Sequence, residues 1–214
     1  MRKLLLIVGA ILLLSCQAWA AAPLAPGVTH VDDYTLAGEK NFLDGYAAFN
    51  DDDTINAVVE IPTGDLDKWE VRDDGRMIWE LKEGKPRVVK YLGYPGNYGM
   101  IPRTRGGDKD PLDVIVLGPA QPRGAVVKAK LLGVLKMLDK GEVDDKLVAV
   151  LAGSPLAAVD SVDQLEDTFP GVVKILTLWF ENYKGPGKMV VKGASDRHEA
   201  EETLKAAMEL FEKK

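Results

Sequence analysis

The sequence predicts a mainly β protein that also contains α-helices (α+β), built as a small closed β-barrel flanked by two C-terminal helices. Three observations lead to this prediction. Short segments rich in β-branched and aromatic residues follow one another between residues 57 and 151. Clusters of Gly, Pro and Asp separate these segments, as is typical of turns. Apolar residues at helical spacing occur only after residue 170.

The first twenty residues, MRKLLLIVGAILLLSCQAWA, have the pattern of a secretory signal peptide. They begin with two basic residues, continue with an apolar run at positions 4–14 and end in Ala-Trp-Ala. That run is shorter than the ~20 residues needed to cross a bilayer, so no membrane span is predicted. We expect cleavage after Ala20. A competing interpretation makes LLSC at 13–16 a lipid-attachment site with an acylated Cys16. Under both interpretations the protein is exported. It is expected to be periplasmic or secreted if it is cleaved after Ala20, and anchored to a membrane if Cys16 is acylated.

The composition indicates an acidic protein without disulfide bonds. The chain carries 27 Lys and Arg against 33 Asp and Glu, a formal net charge of −6. Loss of the signal peptide would remove two basic residues and the only cysteine. An excess of negative charge argues against nucleic acid as a partner. An acidic protein that binds an anion needs metal ions or a local basic cluster at its site.

Residues 21–56 are interpreted as an N-terminal arm, and residues 57–214 as a single catalytic domain. The predicted strands are AVVEI (57–61), KWEVR (68–72), MIWEL (77–81), DVIVL (113–117), AVVKAKLLGVLKML (125–138) and KLVAVL (146–151). DDG at 73–75 predicts a hairpin turn between the second and third of these strands. Short strands at this spacing favour a small barrel.

Two helices are predicted near the C-terminus. Apolar residues recur at helical spacing from Pro170 to Tyr183, and a proline suits the first helical position. The second helix begins after Asp196, which has the capping-box spacing to Glu199. We interpret the apolar faces of both helices as core packing and His198 as solvent-facing.

Two acidic clusters are the strongest chemical signal. GGDKDPLDVIV (106–116) contains Asp108, Asp110 and Asp113, and a second cluster at 139–146 has carboxylates at a strand end. At an effective dielectric of about 20, two carboxylates about 4 Å apart repel by about 4 kcal/mol, so such a cluster needs positive charge. Loops at one end of a barrel converge, and this would bring the clusters together. Oxygen ligands favour Mg²⁺, Mn²⁺ or Ca²⁺ over zinc or copper.

Several other classes of site are excluded. Counting from Asp108, the sixth residue is Asp113 and the twelfth is Pro119, where an EF-hand needs glycine and glutamate. The chain has no Walker loop. It has two histidines, His30 and His198, which argues against a histidine-based hydrolase. Lysine, arginine and tyrosine side chains near the acidic clusters instead supply donors for a phosphate.

GGDKDPLDVIV resembles the Asp-x-Asp-Pro-x-Asp signature of the soluble, magnesium-dependent family I inorganic pyrophosphatases. Five further stretches resemble segments of the family, in order: VVEIPTGDLDKWEV, GKPRVVKY, YPGNYG, GVLKMLDKGEVDDKLVAV and FENYKG. The resemblance extends from about residue 55 to 190 and implies an OB-like barrel. The positions outside the signature that it matches are Glu60, Lys68, Glu70, Arg87, Tyr94, Asn97, Tyr98, Asp139, Asp144, Lys146, Tyr183 and Lys184.

The resemblance implies hydrolysis of pyrophosphate to two phosphates, with Mg²⁺ as cofactor, Mn²⁺ as a substitute and Ca²⁺ as an inhibitor. The implied metal-binding residues are Asp108, Asp113, Asp139, Asp144, Glu60 and Glu70. The implied catalytic and substrate-binding residues are Lys68, Arg87, Tyr98, Lys146, Tyr183 and Lys184. Asp110 is the implied proton acceptor. Besides the pyrophosphate substrate, the implied partners are further copies of the chain in a homo-oligomer.

Two other functions stay open at this point. One is a secreted divalent-cation-binding protein without catalysis, although such a protein gains nothing from basic residues such as Lys68 and Arg87 beside its carboxylates. The other is a Mg²⁺-dependent nucleotide or polyphosphate hydrolase, for which the sequence shows no base-binding element. Comparing phosphate release from pyrophosphate and from ATP discriminates among the three.

Overall fold

The structure is a computed structural model that describes residues 21–213. The predicted signal peptide, with Cys16, lies outside the described residues. The strands are β1 (Thr29–Asp32), β2 (Thr35–Ala37), β3 (Ile55–Ile61), β4 (Trp69–Val71), β5 (Met77–Trp79), β6 (Leu81–Lys82), β7 (Lys85–Pro86), β8 (Asn97–Met100), β9 (Asp113–Leu117), β10 (Val126–Asp139), β11 (Glu142–Val143), β12 (Lys146–Leu151) and β13 (Met189–Ser195). The helices are α1 (Val162–Thr168), α2 (Val172–Tyr183) and α3 (Arg197–Glu212), preceded by a 3₁₀ turn at Pro155–Ala158. None of these helices has the length and apolarity that a membrane crossing requires.

Five strands pair in a closed ring, which confirms the predicted small barrel. Strand β3 pairs with β8, β8 with β9, β9 with β12, β12 with β10, and β10 again with β3. The pair β9–β12 is parallel and the other pairs are antiparallel. Most side chains of β3, β8, β9 and β12 are buried, so the interior of the ring is a packed core.

Strand β10 is the longest element of the barrel and organises its neighbours. One of its edges pairs with β3 and then β13, and the other pairs with β12 and then β11. The register shifts between Leu131 and Gly133. A Cβ atom on Gly133 would lie 2.3 Å from the carbonyl oxygen of Ser195, so only glycine allows β13 to approach β10 this closely.

The two predicted C-terminal helices flank the barrel on separate parts of the core. Helix α2 buries Leu176, Trp179 and Phe180. Helix α3 buries Ala200 and Leu204 in a different cluster, and its Ala207 is buried as well. Asp196 caps α3, as predicted, by accepting a hydrogen bond from Glu199 N at 3.0 Å. His198 is exposed on this helix, also as predicted.

The structure adds elements that the sequence analysis did not predict. Helix α1 is a short third helix, capped by Ser161 and burying only Val162 and Leu165. Strand β13 is mostly exposed, so it lacks the alternating pattern that marks a half-buried strand. Residues 21–56, interpreted as an arm, contribute β1 and β2 to a sheet with β5 and β4, and Leu36 and Phe42 are buried in a core cluster.

Candidate active site

The centre of the candidate site is an ion-paired group formed by Asp113, Asp144 and Lys146. Strands β9 and β12 are parallel neighbours, with Leu147 opposite Val114, so their first residues, Asp113 and Lys146, lie side by side. Lys146 Nζ lies 2.5 Å from Asp113 Oδ2 and 2.5 Å from Asp144 Oδ1, and the lysine side chain is only 3% exposed. Burial alone would lower the pKa of Lys146, but the charges of both carboxylates outweigh it and raise that pKa. The lysine is therefore charged at neutral pH.

A second ion pair, between Asp139 and Lys184, lies at the adjoining end of β10. Lys184 follows the last residue of α2, and its Nζ is 2.8 Å from Asp139 Oδ2. Burial raises the pKa of Asp139, but the hydrogen bond and charge of Lys184 lower it more. The other oxygen, Asp139 Oδ1, is buried and has no hydrogen-bond partner within the described residues. A buried carboxylate oxygen without a partner suits a bound ion or water.

Glu60, Lys68 and Glu70 contribute a further group of charges from β3 and β4. Glu60 is 3% exposed and accepts a hydrogen bond from Val71 N at 2.6 Å. Burial raises the pKa of Glu60 to about 8, with Lys68 opposing the shift. Burial disfavours the charge of Lys68, but Glu60, Asp113 and Glu70 raise its pKa overall. Glu70 lies between two basic side chains, because it pairs with Arg72 and lies 3.8 Å from Lys68 Nζ.

The predicted tyrosines Tyr94 and Tyr183 contact Trp179 of α2, and Tyr98 packs against Tyr94. The ring centroids of Tyr94 and Tyr183 each lie 4.4 Å from that of Trp179, and those of Tyr94 and Tyr98 are 5.1 Å apart. Burial raises the pKa of Tyr183 to about 12, with Lys68 opposing the shift. The phenol therefore remains a neutral hydroxyl donor at physiological pH.

Arg87 is fixed by its backbone and by a carboxylate that the sequence analysis missed. Its carbonyl oxygen accepts hydrogen bonds from Lys68 N at 3.0 Å and from Trp79 Nε1 at 3.1 Å. Its Nη1 donates to both oxygens of Glu80, at 2.9 and 2.6 Å. Burial disfavours the charge of Arg87, but the charge and hydrogen bond of Glu80 raise its pKa overall. Glu80 lies in no recognisable sequence motif, and only its ion pair with Arg87 in the structure shows that it belongs to the site.

Asp108 and Asp110 lie in the loop that leads into β9. Gly106 N donates to the carbonyl oxygen of Asp110 at 2.7 Å, and Asp108 Oδ1 accepts from Asp110 N at 3.1 Å. Among residues 21–213, neither carboxylate forms an ion pair. A cavity of about 850 Å³ opens beside Asp108, between the acidic loops and α3. Four predicted metal ligands line it, whereas Asp110 and the predicted phosphate-binding side chains do not: the four are Asp108, Asp113, Asp139 and Asp144.

The donor atoms in this cavity fit hard divalent cations. In the described part of the chain, no three carboxylate, imidazole or thiolate side chains lie close enough together to hold one ion unaided, and Lys146 bridges Asp113 and Asp144. Mg²⁺ does not require such a cage, because it commonly binds one or two carboxylates and completes its shell with water and substrate phosphates. The unpartnered Asp139 Oδ1 and the oxygen-only donors are compatible with that mode of binding.

The structure thus joins most of the predicted residues in a few separate groups of ion pairs and ring contacts, and it gives Asn97 a different place. Asn97 is buried, where its amide donates to the carbonyl oxygens of Val116 and Pro119 and its Oδ1 accepts from Gln121 N. It fixes the loop after β9 and does not face the charged groups. The individual roles of the site residues stay predictions.

The fold and the site define a class of protein. It is a small closed barrel that carries, at strand ends and in the adjoining loops, carboxylates suited to hard cations together with lysine, arginine and tyrosine side chains suited to an oxyanion. The chain belongs to the inorganic pyrophosphatase family, because the family model described as inorganic pyrophosphatase matches residues 57–212. The resemblance seen in the sequence motifs is therefore confirmed.

Individual relatives agree with this assignment. The inorganic pyrophosphatase of Gluconobacter oxydans is 35% identical over 159 residues, which cover 72% of this chain and 89% of the relative. The mitochondrial inorganic pyrophosphatase of Saccharomyces cerevisiae is 33% identical over 158 residues, 62% of this chain and 51% of the relative. The crystal structure of type I inorganic pyrophosphatase from Toxoplasma gondii matches with a TM-score of 0.78 at 29% identity, over 87% of this chain and 97% of that one. This chain spans about half the length of several of the curated relatives it matches.

Proposed function

We propose that this protein hydrolyses inorganic pyrophosphate to two phosphates with divalent cations as cofactors. The observation that carries the proposal is the alternation of acidic and basic side chains, with Lys146 between Asp113 and Asp144 and Lys184 beside Asp139. Pyrophosphate carries several negative charges, so binding it and stabilising the departing phosphate both require positive charge. Membership in the family supports the same reaction.

The basic and hydroxyl side chains would bind the phosphate oxygens. This group consists of Lys68, Arg87, Tyr98, Lys146, Tyr183 and Lys184. The contact between Arg87 and Glu80 uses only Nη1, which leaves Nε and Nη2 without a partner in the part of the chain described. A guanidinium held in this way presents its remaining donors to an oxyanion with little loss of side-chain entropy.

The carboxylates would hold the cations. Asp108, Asp113, Asp139 and Asp144 line the cavity, and Glu60 and Glu70 lie next to Lys68. Bound cations would neutralise phosphate charge and lower the pKa of the attacking water. Asp110 would accept the proton of that water. Self-association into a homo-oligomer stays a prediction from the family resemblance.

The proposed reaction is tested by measuring phosphate release from pyrophosphate in the presence of Mg²⁺, with ATP and tripolyphosphate as matched substrates. We expect release from pyrophosphate to exceed release from the other two by a wide margin. Release chiefly from ATP would contradict the proposal. Cation binding with no phosphate release from any substrate would indicate the binding protein without catalysis.

Metal dependence follows from the oxygen-only ligands. We expect exhaustive chelation to abolish activity, Mg²⁺ to restore it and Ca²⁺ to inhibit the Mg²⁺-loaded enzyme, because the looser coordination of Ca²⁺ misplaces the attacking water. Mn²⁺ should restore activity in part. Phosphate release is measured after chelation and after each metal is added back. Full activity in the presence of chelator would contradict this mechanism.

We also propose export from the cytoplasm, based on the basic start, the apolar run and the Ala-Trp-Ala site of the first twenty residues. Mass spectrometry of the protein from its native host should show an N-terminus at Ala21. A lipid-modified Cys16 at the N-terminus would contradict cleavage after Ala20 and establish the anchored form.

A further inference from the structure

Asp145 lies between two residues of the candidate site and lines the same cavity, but its carboxylate oxygens contact Lys136 and Met137 of β10. Its neighbours Asp144 and Lys146 pair with each other in the site. The side chain of Asp145 is only 12% exposed and accepts a hydrogen bond from Met137 N at 2.8 Å through Oδ1. Its Oδ2 lies 2.5 Å from Lys136 Nζ. Both oxygens of this carboxylate are therefore occupied by groups of β10.

Lys136 extends this contact to helix α3. Its Nζ lies 3.0 Å from Glu199 Oε1, in the first turn of the helix, as well as beside Asp145. Burial alone would lower the pKa of Lys136, but the hydrogen bonds to Asp145 and Glu199 raise it, so the lysine is charged at neutral pH. Asp145, Lys136 and Glu199 therefore form a chain of three charges that connects the segment before β12, through β10, to α3.

We propose that Asp145 is a positioning residue that holds the backbone from which Asp144 and Lys146 reach into the site. This proposal rests on the proposed function, because that function gives Asp144 its role in metal binding and Lys146 its role in phosphate binding. Two hydrogen bonds connect this segment to Met137 of β10. Asp144 N donates to Met137 O at 3.0 Å, and Met137 N donates to Asp145 Oδ1. A charge-assisted contact to Lys136 stiffens the arrangement further. Loss of Asp145 would displace the carboxylate of Asp144, whereas Lys146 keeps its ion pair with Asp113.

The test compares metal binding by Asp145→Asn and Asp145→Ala with the unmodified protein. Asparagine keeps an acceptor oxygen for Met137 N but removes the charge opposite Lys136, whereas alanine removes both. Calorimetric titration with Mn²⁺ in the absence of substrate should show about tenfold weaker binding for Asp145→Ala. A smaller loss is expected for Asp145→Asn. The Mg²⁺ concentration that gives half-maximal phosphate release should rise in parallel, with kcat at saturating Mg²⁺ nearly unchanged.

Asp160→Asn is the matched control, because Asp160 also pairs with a lysine of β10. It lies 2.7 Å from Lys130 Nζ and is largely exposed. Its Mn²⁺ affinity should equal that of the unmodified protein. Mn²⁺ affinities within twofold for both Asp145 variants would overturn the proposal, as would a fall in kcat that saturating Mg²⁺ does not rescue. If the unmodified protein releases no phosphate, the proposed function fails, and the Mn²⁺ titrations still decide the role of Asp145.

Discussion

Replacing Asp110 with Asn is expected to lower kcat about 10²–10⁴-fold, the usual cost of losing a general base. Asparagine keeps the size of aspartate and one acceptor oxygen, but it cannot accept a proton from water. The backbone of Asp110 is held on both sides by the hydrogen bonds to Gly106 and Asp108, and Pro111 restricts the chain immediately after it. A carboxylate on such a rigid segment can be aimed at a single water.

The charges around Asp110 favour this role. Partial burial raises the pKa of Asp110, and the negative charges of Asp108, Glu70 and Asp113 raise it further, with Arg72 opposing them. A raised pKa makes this carboxylate a stronger base than an ordinary aspartate. Asp113, in contrast, has its pKa lowered by Lys146 and Lys68 in spite of burial, which suits a group that stays ionised as a ligand.

The measurement is steady-state phosphate release at several Mg²⁺ concentrations, with Asp113→Asn as the matched variant. Asp110→Asn should keep an Mg²⁺ requirement close to that of the unmodified protein, whereas Asp113→Asn should need much more Mg²⁺. If Asp110→Asn binds Mg²⁺ poorly and regains near-normal turnover at high Mg²⁺, then Asp110 is a metal ligand and not the base.

Replacing Asp65 with Asn is expected to lower the free energy of unfolding by about 3–5 kcal/mol, because it leaves a buried guanidinium without its counter-ion. Arg123 is 2% exposed, and its Nη2 lies 2.5 Å from Asp65 Oδ2. Its Nε donates to the carbonyl oxygen of Glu60 at 2.9 Å, and its guanidinium carbon lies 5.0 Å from the centroid of the Trp69 ring. The amide oxygen of asparagine still accepts the hydrogen bond from Leu66 N, but the oxygen that accepts from Arg123 Nη2 becomes an NH2 group, which cannot accept it.

Guanidinium denaturation followed by tryptophan fluorescence gives the free energy of unfolding for each variant. Asp52→Asn is the control, because Asp52 forms a solvent-exposed pair with Lys128, and exposed ion pairs contribute little to stability. The double variant Asp65→Leu with Arg123→Met should lose less stability than Asp65→Asn, because it buries no charge. A loss for Asp65→Asn no larger than that of the control would contradict this account.

The sequence predicted those parts of the fold and site that short stretches specify. DVIVL and KLVAVL coincide with β9 and β12 because continuous apolar β-formers, bounded by turn residues, have few alternatives. The pair of Asp65 and Arg123 could not be predicted, since the two residues belong to different loops and the quoted motifs assign a role to neither of them. In VDDK at 143–146, the two adjacent aspartates are chemically identical. Their contacts distinguish them in the structure, because Asp144 pairs with Lys146 and Asp145 pairs with Lys136.

The closed ring of strands has a consequence for how the protein folds. The ring closes where Val58 of β3 meets Val126 of β10, residues far apart along the chain. Contacts of this kind form late and slowly, because the loop-closure entropy is lost before the pairing is gained. Glu60 and Lys68 belong to the part of the chain that begins with β3, whereas Asp139 and Lys146 belong to β10 and β12. A refolding chain should therefore regain the ability to bind Mn²⁺ only in its slowest kinetic phase, together with strand closure.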